Sequence, residues 1–371
     1  MSHIHTPNLS DPITLGAITV KNRAVLAAIT NKQSHEDGSL SDAELNWLLR
    51  RAEGGFGLIT TGAANVLPGG KTWDGELGIY ADAHIPGLSR LASALHAAGS
   101  AAIVQIFHGG YRASSSISGQ QPVSCTHFSI DEKGFEQPRE LSPSEVQKTI
   151  QAYVDAAVRA KTANFDGVEI HGAHTYLIAQ FLSKEYNTRQ DNYGRSLENR
   201  YRFLSEIISG VRSACGPDFV VGVRVSPGVP VPHAGISLEE TLQITPWLVR
   251  DGVDFIHLSL KEAGGTDTDD ERSGAAAIPQ VRANIPDSVA LLAAGGILTL
   301  NEVERTLSYG ADMVSIARGA IGNARWPEIV GAGLIPLLPP YTKEHLEREG
   351  LSAPFIEYMH NWPGFVDDGQ L

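Results

Sequence analysis

Short apolar runs recur along the chain at spacings that leave room for a helix between them, and most end in glycine or a polar side chain. Eight have the length and composition of strands: residues 24–29, 58–62, 101–107, 167–171, 220–225, 255–260, 290–294 and 313–317. Several are apolar on both faces, the pattern of parallel strands covered by helices. Eight strands alternating with helices predict an α/β fold, a single (β/α)8 TIM barrel, which routinely fills a chain of 371 residues as one domain.

The stretches between the runs carry helix-start signals. Ser142-Pro143-Ser144-Glu145 supplies an N-cap, a proline at the first helical position and a glutamate placed to close a capping box, ahead of the amphipathic run 146–163. Residues 109–141 exceed a plain connection and are rich in Ser, Gly and Gln, which predicts an insertion over the active-site face. The barrel is expected to span 1–335. Beyond it the alternation stops, and 336–371 read as a C-terminal tail whose Phe355, Tyr358, Trp362 and Phe365 are expected to pack on the barrel exterior rather than over its mouth.

A hydrophobic content of 42% with 19% charged residues points to a sizeable core rather than domain-scale disorder. The formal charge of −13 repels phosphodiester backbones and anionic lipid, which argues against nucleic acid and membrane as partners. Any anionic ligand must therefore find a local cationic pocket. No segment reads as a signal peptide or a bilayer span, so a cytoplasmic location is expected. The two cysteines, Cys125 and Cys215, form no closely spaced cluster, and no metal is expected.

Active sites of such barrels lie at the carboxyl ends of the strands. The fourth run continues into His171-Gly172-Ala173-His174-Thr175-Tyr176, placing two imidazoles and a phenol within one strand end and the following turn. Three ring donors so placed can converge on one ligand atom. The alternative, histidines capping the next helix beside a packed tyrosine, explains each ring singly but not the trio. Arg224 interrupts the apolar fifth run, and a buried guanidinium must meet either an electron-rich ligand edge or a carboxylate on a neighbouring strand. Gly295-Gly296 and Ala317-Arg318 close the seventh and eighth runs; they suit a phosphate cradle, although the glycines alone would also serve tight turns. Gln105, on the third run, can read a heterocycle edge or bond a side chain of the next strand, and Thr30 offers a hydroxyl to the same face or to a local turn. Lys261 closes the sixth run, where Glu262 beside it favours a solvated charge over a Schiff-base amine.

In this order and spacing the motifs resemble the Old Yellow Enzyme family of FMN-dependent ene-reductases, from about residue 12 to about residue 327. The most specific piece is His-Gly-Ala-His-x-Tyr at 171–176. It is supported by Lys21-Asn22-Arg23, by Asp191-Asn192-Tyr193-Gly194, and by Ser196-Leu197-Glu198-Asn199-Arg200 with Arg202-Phe203. The resemblance implies bound FMN that passes hydride from NAD(P)H to the activated C=C bond of an enone-type carbonyl or nitro compound. It implies that His171 and His174 hold the substrate oxygen while Tyr176 protonates the α-carbon. It further implies Arg224 and Gln105 at the pyrimidine edge of the flavin, Ala28, Thr30 and Ala63 around the isoalloxazine, and Gly295, Gly296, Ala317 and Arg318 on the phosphate. Arg224 would then stabilise the negative charge that reduction places near flavin N1. A homo-oligomer is compatible with this reading.

The chain departs from the pattern in three places: Ala28 stands where many relatives have proline, Thr30 where one branch has cysteine, and Arg195 where a second glycine usually follows Tyr-Gly. The last puts the geometry of that loop in question. No cysteine cluster follows the barrel, so both electron transfers are expected at one site, in ping-pong order. A flavin-free, phosphate-binding barrel such as a Lys261 aldolase would leave Arg224 and the histidine pair idle. A flavin-binding protein without turnover would leave Tyr176 idle.

Overall fold

The computed structural model describes residues 7–130, 134–228, 236–264, 275–367 and 369. All eight runs form strands: β1 (Ala24–Leu26), β2 (Leu58–Thr60), β3 (Ala101–Phe107), β4 (Gly167–Gly172), β5 (Val220–Val225), β6 (Phe255–Ser259), β7 (Ala290–Ala294) and β8 (Met313–Ile316). Each pairs in parallel with the next, and Val314 beside Ala24 joins β8 to β1, so the sheet closes. A closed parallel sheet has no free edge, and its helices must cover the outside. The helices are α1 (Asp42–Glu53), α2 (Ile85–Ala97), α3 (Pro143–Thr162), α4 (Leu197–Cys215), α5 (Leu238–Asp251), α6 (Ala277–Arg282), α7 (Leu300–Ser308) and α8 (Arg318–Gly322), one after each strand.

Helix starts follow the local chemistry. Ser142 caps α3 and closes the predicted box, its backbone N–H donating to Glu145 Oε2 at 2.9 Å while Glu145 N–H donates to Ser142 Oγ at 3.3 Å. Ser41, Ser196 and Ser237 cap α1, α4 and α5 with side-chain oxygens that accept from the backbone N–H three residues on, and Ser237 also closes a box with Glu240.

Side chains alternate along each strand, so a run that is apolar throughout serves two cores. Val104, Ile170, Val223, Ile256 and Leu291 face the helices, whereas Val25, Leu58, Ile103, Val220, Phe255, Ala290 and Met313 fill the amino end of the barrel. A hairpin of Ile13–Leu15 and Ile18–Val20 plugs that end with Leu15 and Val20. Phe255 occupies the space over Gly222, where an added Cβ would stand 2.0 Å from its ring.

In the segment 109–141 an aromatic cluster forms in which Tyr111 meets Phe128 and Phe135 at 5.5 Å, and Phe128 meets Tyr186 at 4.6 Å. Buried Arg189 fastens it by donating from Nη1 to the carbonyls of Cys125 and Leu141. The C-terminal segment corrects the expectation of exterior packing. Phe355, in the helix Ala353–Met359, does dock edge-on against Trp47 of α1 at 5.3 Å, but Tyr358, Met359 and Trp362 turn over the barrel mouth and line its cavity. Among the described residues no helix is long and apolar enough to cross a membrane.

Candidate active site

Higher up the barrel the inward positions change character. The register sets Gln105 of β3 beside Glu169 of β4, and His171 of β4 beside Arg224 of β5 and His257 of β6. Glu169 Oε1 accepts from Gln105 Nε2 at 2.5 Å, and Oε2 meets His257 Nδ1 at 2.6 Å, all three residues being buried. Burial alone would raise the Glu169 carboxyl, but His257, Arg224 and Gln105 hold it below the usual carboxylate range. Gln105 thus makes the side-chain bond that was the alternative to heterocycle reading, and it lies beneath the cavity rather than on its lining.

Above this tier the chain leaves β4 through a tight turn. His174 (φ 56°) and Thr175 (φ 60°) are consecutive non-glycine residues in the left-handed region, which costs on the order of 1–3 kcal/mol each. The turn brings three rings together: His171 lies 5.0 Å from His174 and 4.9 Å from Tyr176, and His174 lies 6.5 Å from Tyr176, all edge to face. Phe107 supports Tyr176 at 5.0 Å and is itself stacked on Trp73. His171 Nδ1 accepts from Ala173 N–H at 3.2 Å, which assigns the ring proton to Nε2. Burial, with the charges of Arg224 and His257 nearby, keeps His171 and His174 well below the usual imidazole range, hence neutral at pH 7. His174 is exposed on the face that opens to the cavity. Burial raises the Tyr176 hydroxyl further above its ordinary value, so it too stays protonated.

The cavity at this end measures about 460 Å³. Its lining includes Ala28, Thr30, His174, Tyr176, Arg224, Gly295, Gly296, Ala317 and Arg318, which the sequence singled out; Ala63, Gln105 and His171 are buried close behind or below. Among the described residues three cations, Arg224, Lys261 and Arg318, line it and no carboxylate does. Arg224 has no ion pair among the described residues. Nη2 donates to Ser259 Oγ at 3.1 Å, while Nε is buried without a partner. Ser259 also meets His174 Nε2 at 2.7 Å, and Ser315 Oγ on β8 is buried without a partner. Lys261 is exposed at the rim, without the apolar enclosure that a Schiff-base amine needs.

Sequence reasoning missed Ser259, Ser315, His257, Tyr358 and Met359. For the first three a signal existed, since each is a polar residue at an inward position of an otherwise apolar strand. Tyr358 reaches the site only through the fold of the tail, where its hydroxyl is hydrogen-bonded to Thr30.

Fold and cavity together define the class: a (β/α)8 barrel with a small-molecule site at the carboxyl ends of its strands. Residues 8–335 match the profile of the NADH:flavin oxidoreductase / NADH oxidase family. The probable NADH-dependent flavin oxidoreductase YqiG of Bacillus subtilis is 33% identical over 364 residues, covering 96% of this chain and 97% of that protein. NADH oxidase of Thermoanaerobacter brockii is 37% identical over 336 residues, covering 87% of this chain but only 50% of that longer enzyme. Among solved structures, the old yellow enzyme homologue from Zymomonas mobilis superposes with a TM-score of 0.81 at 28% identity, covering 92% of this chain and 96% of that one. The chain belongs to the Old Yellow Enzyme family of flavin oxidoreductases, with FMN as cofactor and NAD(P)H as electron donor.

Proposed function

We propose that this enzyme reduces activated carbon–carbon double bonds, with His171 and His174 binding the carbonyl or nitro oxygen of the substrate and Tyr176 protonating its α-carbon. The observation that carries the reading is the meeting of these three rings, all in their neutral, proton-bearing forms, beside a cavity whose guanidinium keeps a buried Nε without a partner.

The cavity suits FMN on its own chemistry. Arg224 Nε and Ser315 Oγ are buried polar atoms that lack partners, and such atoms cost free energy until a ligand satisfies them. Arg224 would meet the pyrimidine edge, with Gln105, held by Glu169, behind it and Ala28, Thr30 and Ala63 around the ring system. Gly295, Gly296, Ala317 and Arg318 would hold the phosphate; at Gly295 (φ 146°) a Cβ would stand 2.4 Å from the Leu260 carbonyl, so only glycine keeps this backbone at the cavity wall. When bound, the flavin supplies hydride chemistry.

The residues supply the rest. As hydride reaches the β-carbon, negative charge grows on the substrate oxygen, and N–H donors from His171 and His174 stabilise it. His174 would exchange its Ser259 partner for the substrate. Tyr176 then gives its proton to the α-carbon and recovers one from solvent. The two buried, unpaired thiols, Cys125 and Cys215, fit a reducing compartment, and we assign the enzyme to the cytoplasm.

Tyr176→Phe tests the assignment. It should leave flavin reduction by NAD(P)H within a small factor while slowing enone reduction by about 10²–10⁴-fold. Equal losses in both half-reactions, followed by stopped-flow absorbance, would remove Tyr176 from the proton-donor role.

A further inference from the structure

Arg112 belongs to the segment after β3 and has no part in the account so far. Its guanidinium carbon lies 5.6 Å from the centre of the Tyr176 ring and 5.3 Å from that of Phe135. Nη1 donates to Thr175 Oγ1 at 3.3 Å, and Nε is buried without a partner. No carboxylate pairs with it among the described residues. A half-buried cation without a counter-ion is costly, and here it is held against the ring of one particular phenol.

Several groups face Tyr176. Glu76, from the loop after β2, raises the energy of a tyrosinate, as does Tyr358 of the C-terminal helix. Burial itself drives the Glu76 carboxyl well above the usual carboxylate range. His171 and His174 are neutral neighbours, and Phe107 is apolar. Arg224 favours the anion from below, and Arg112 is the larger of the two cationic influences on it.

We propose that Arg112 is a positioning residue that stabilises the tyrosinate formed when Tyr176 hands its proton to the substrate. The proposal rests on the reading of Tyr176 given above. In the step concerned, the Tyr176 O–H bond breaks, a C–H bond forms at the substrate α-carbon, and the electron pair left on the phenolic oxygen carries a full negative charge until a solvent proton neutralises it. A cation fixed against the ring acts at the moment that charge appears and needs no reorganisation to do so. The bond to Thr175 serves the same end by fixing both the guanidinium and the strained turn that carries Tyr176.

The test uses the FMN-loaded enzyme, reduced anaerobically with NADH and then mixed with cyclohexenone, in five forms: wild type, Arg112→Met, Arg112→Lys, Tyr176→Phe, and the double variant Arg112→Met with Tyr176→Phe. Methionine keeps apolar packing between the two rings and removes the charge; lysine keeps the charge. Arg112→Met should slow flavin reoxidation by about 10–100-fold, raise the solvent deuterium isotope effect and leave reduction by NADH within about twofold. Arg112→Lys should recover most of the rate, and in the Tyr176→Phe background Arg112→Met should add less than about a further twofold. The proposal is overturned by full additivity in the double variant, by lysine performing no better than methionine, or by equal slowing of both half-reactions. A loss confined to carboxylate-bearing enones also overturns it, since Arg112 would then be an anion-binding residue for substrate. A wild-type enzyme that NADH reduces but no conjugated alkene reoxidises would sink the reading of the site itself, and Arg112's role with it.

Discussion

At the amino end of the barrel, Ile103, Val220, Phe255 and Met313 meet beneath Leu15 and Val20 of the hairpin in an apolar cluster. Two to four residues further along the same strands, the inward positions hold Gln105, Glu169, His171, Arg224, His257 and Ser315, with Arg224, His257 and Ser315 each keeping a buried polar atom without a partner. The backbone is continuous between the two ends, and the register is shared. One end is filled by apolar side chains; the other is polar, open and lacks partners for several of its own groups. A molecule that was merely stable would resemble the first end throughout, so the unsatisfied end reports what the protein binds.

Substitutions at the two ends should therefore separate stability from function. The largest effect is expected at the amino end, where Ile103→Ala empties part of a fully buried site and should cost about 2–5 kcal/mol of unfolding free energy, with turnover per flavin unchanged. A fall in turnover at full flavin occupancy would show that the two ends are not independent.

Acid should act on the carboxyl end. His108, at the exit of β3, is buried, accepts from Gly110 N–H through Nδ1, and is pushed by desolvation down to about 4. Its folded value lies below the unfolded value of about 6.5, so between those limits the unfolded chain binds a proton that the folded site refuses. Stability should fall as pH drops through that window, by an amount on the order of 3 kcal/mol for this group. His108→Asn, which keeps an acceptor for Gly110, should flatten the pH dependence of the urea midpoint; an unchanged slope would contradict the assignment.

Arg224→Met sharpens the contrast further, because its two effects have opposite signs. Removing a buried charge that has no direct ion pair among the described residues should raise apoprotein stability by about 1 kcal/mol, while FMN affinity falls by about 10–100-fold. Loss of both would mean that Arg224 is paired within the protein.

The smallest change is expected at Arg195, which occupies φ 72° and reaches Gln190 with Nε at 3.1 Å. The glycine usual at this position would adopt that angle without strain, so Arg195→Gly should stabilise by about 1 kcal/mol in thermal melts and leave activity alone.

Much of this was legible in the sequence for a physical reason: strands buried on both faces must be apolar throughout, and only a site excuses a histidine, an arginine or a glycine pair at their ends. All eight strands were found on that basis. Their ends were less clear, since β1 stops at Leu26 while apolar residues continue to Ile29, where the chain has already left the sheet to line the cavity. His171, His174, Tyr176 and Arg224 stood out as ring donors and a charge in apolar surroundings. Glu169 and His257 carried only the signal of a polar residue in an apolar run, and their pairing across 88 positions needed coordinates. Arg195 could be flagged as an unusual residue, but its left-handed backbone needed coordinates. Tyr358 and Met359 were beyond reach, since nothing local says which face of the barrel a C-terminal helix will cover.

The most direct measurement follows the visible spectrum of the purified enzyme under anaerobic conditions, during stepwise addition of NADH or NADPH and then of cyclohexenone. The flavin bands should bleach with the nicotinamide and return in full with the enone, one equivalent for each flavin. Bands that bleach and then stay bleached, while oxygen still restores them, would contradict the claim that this site reduces activated double bonds.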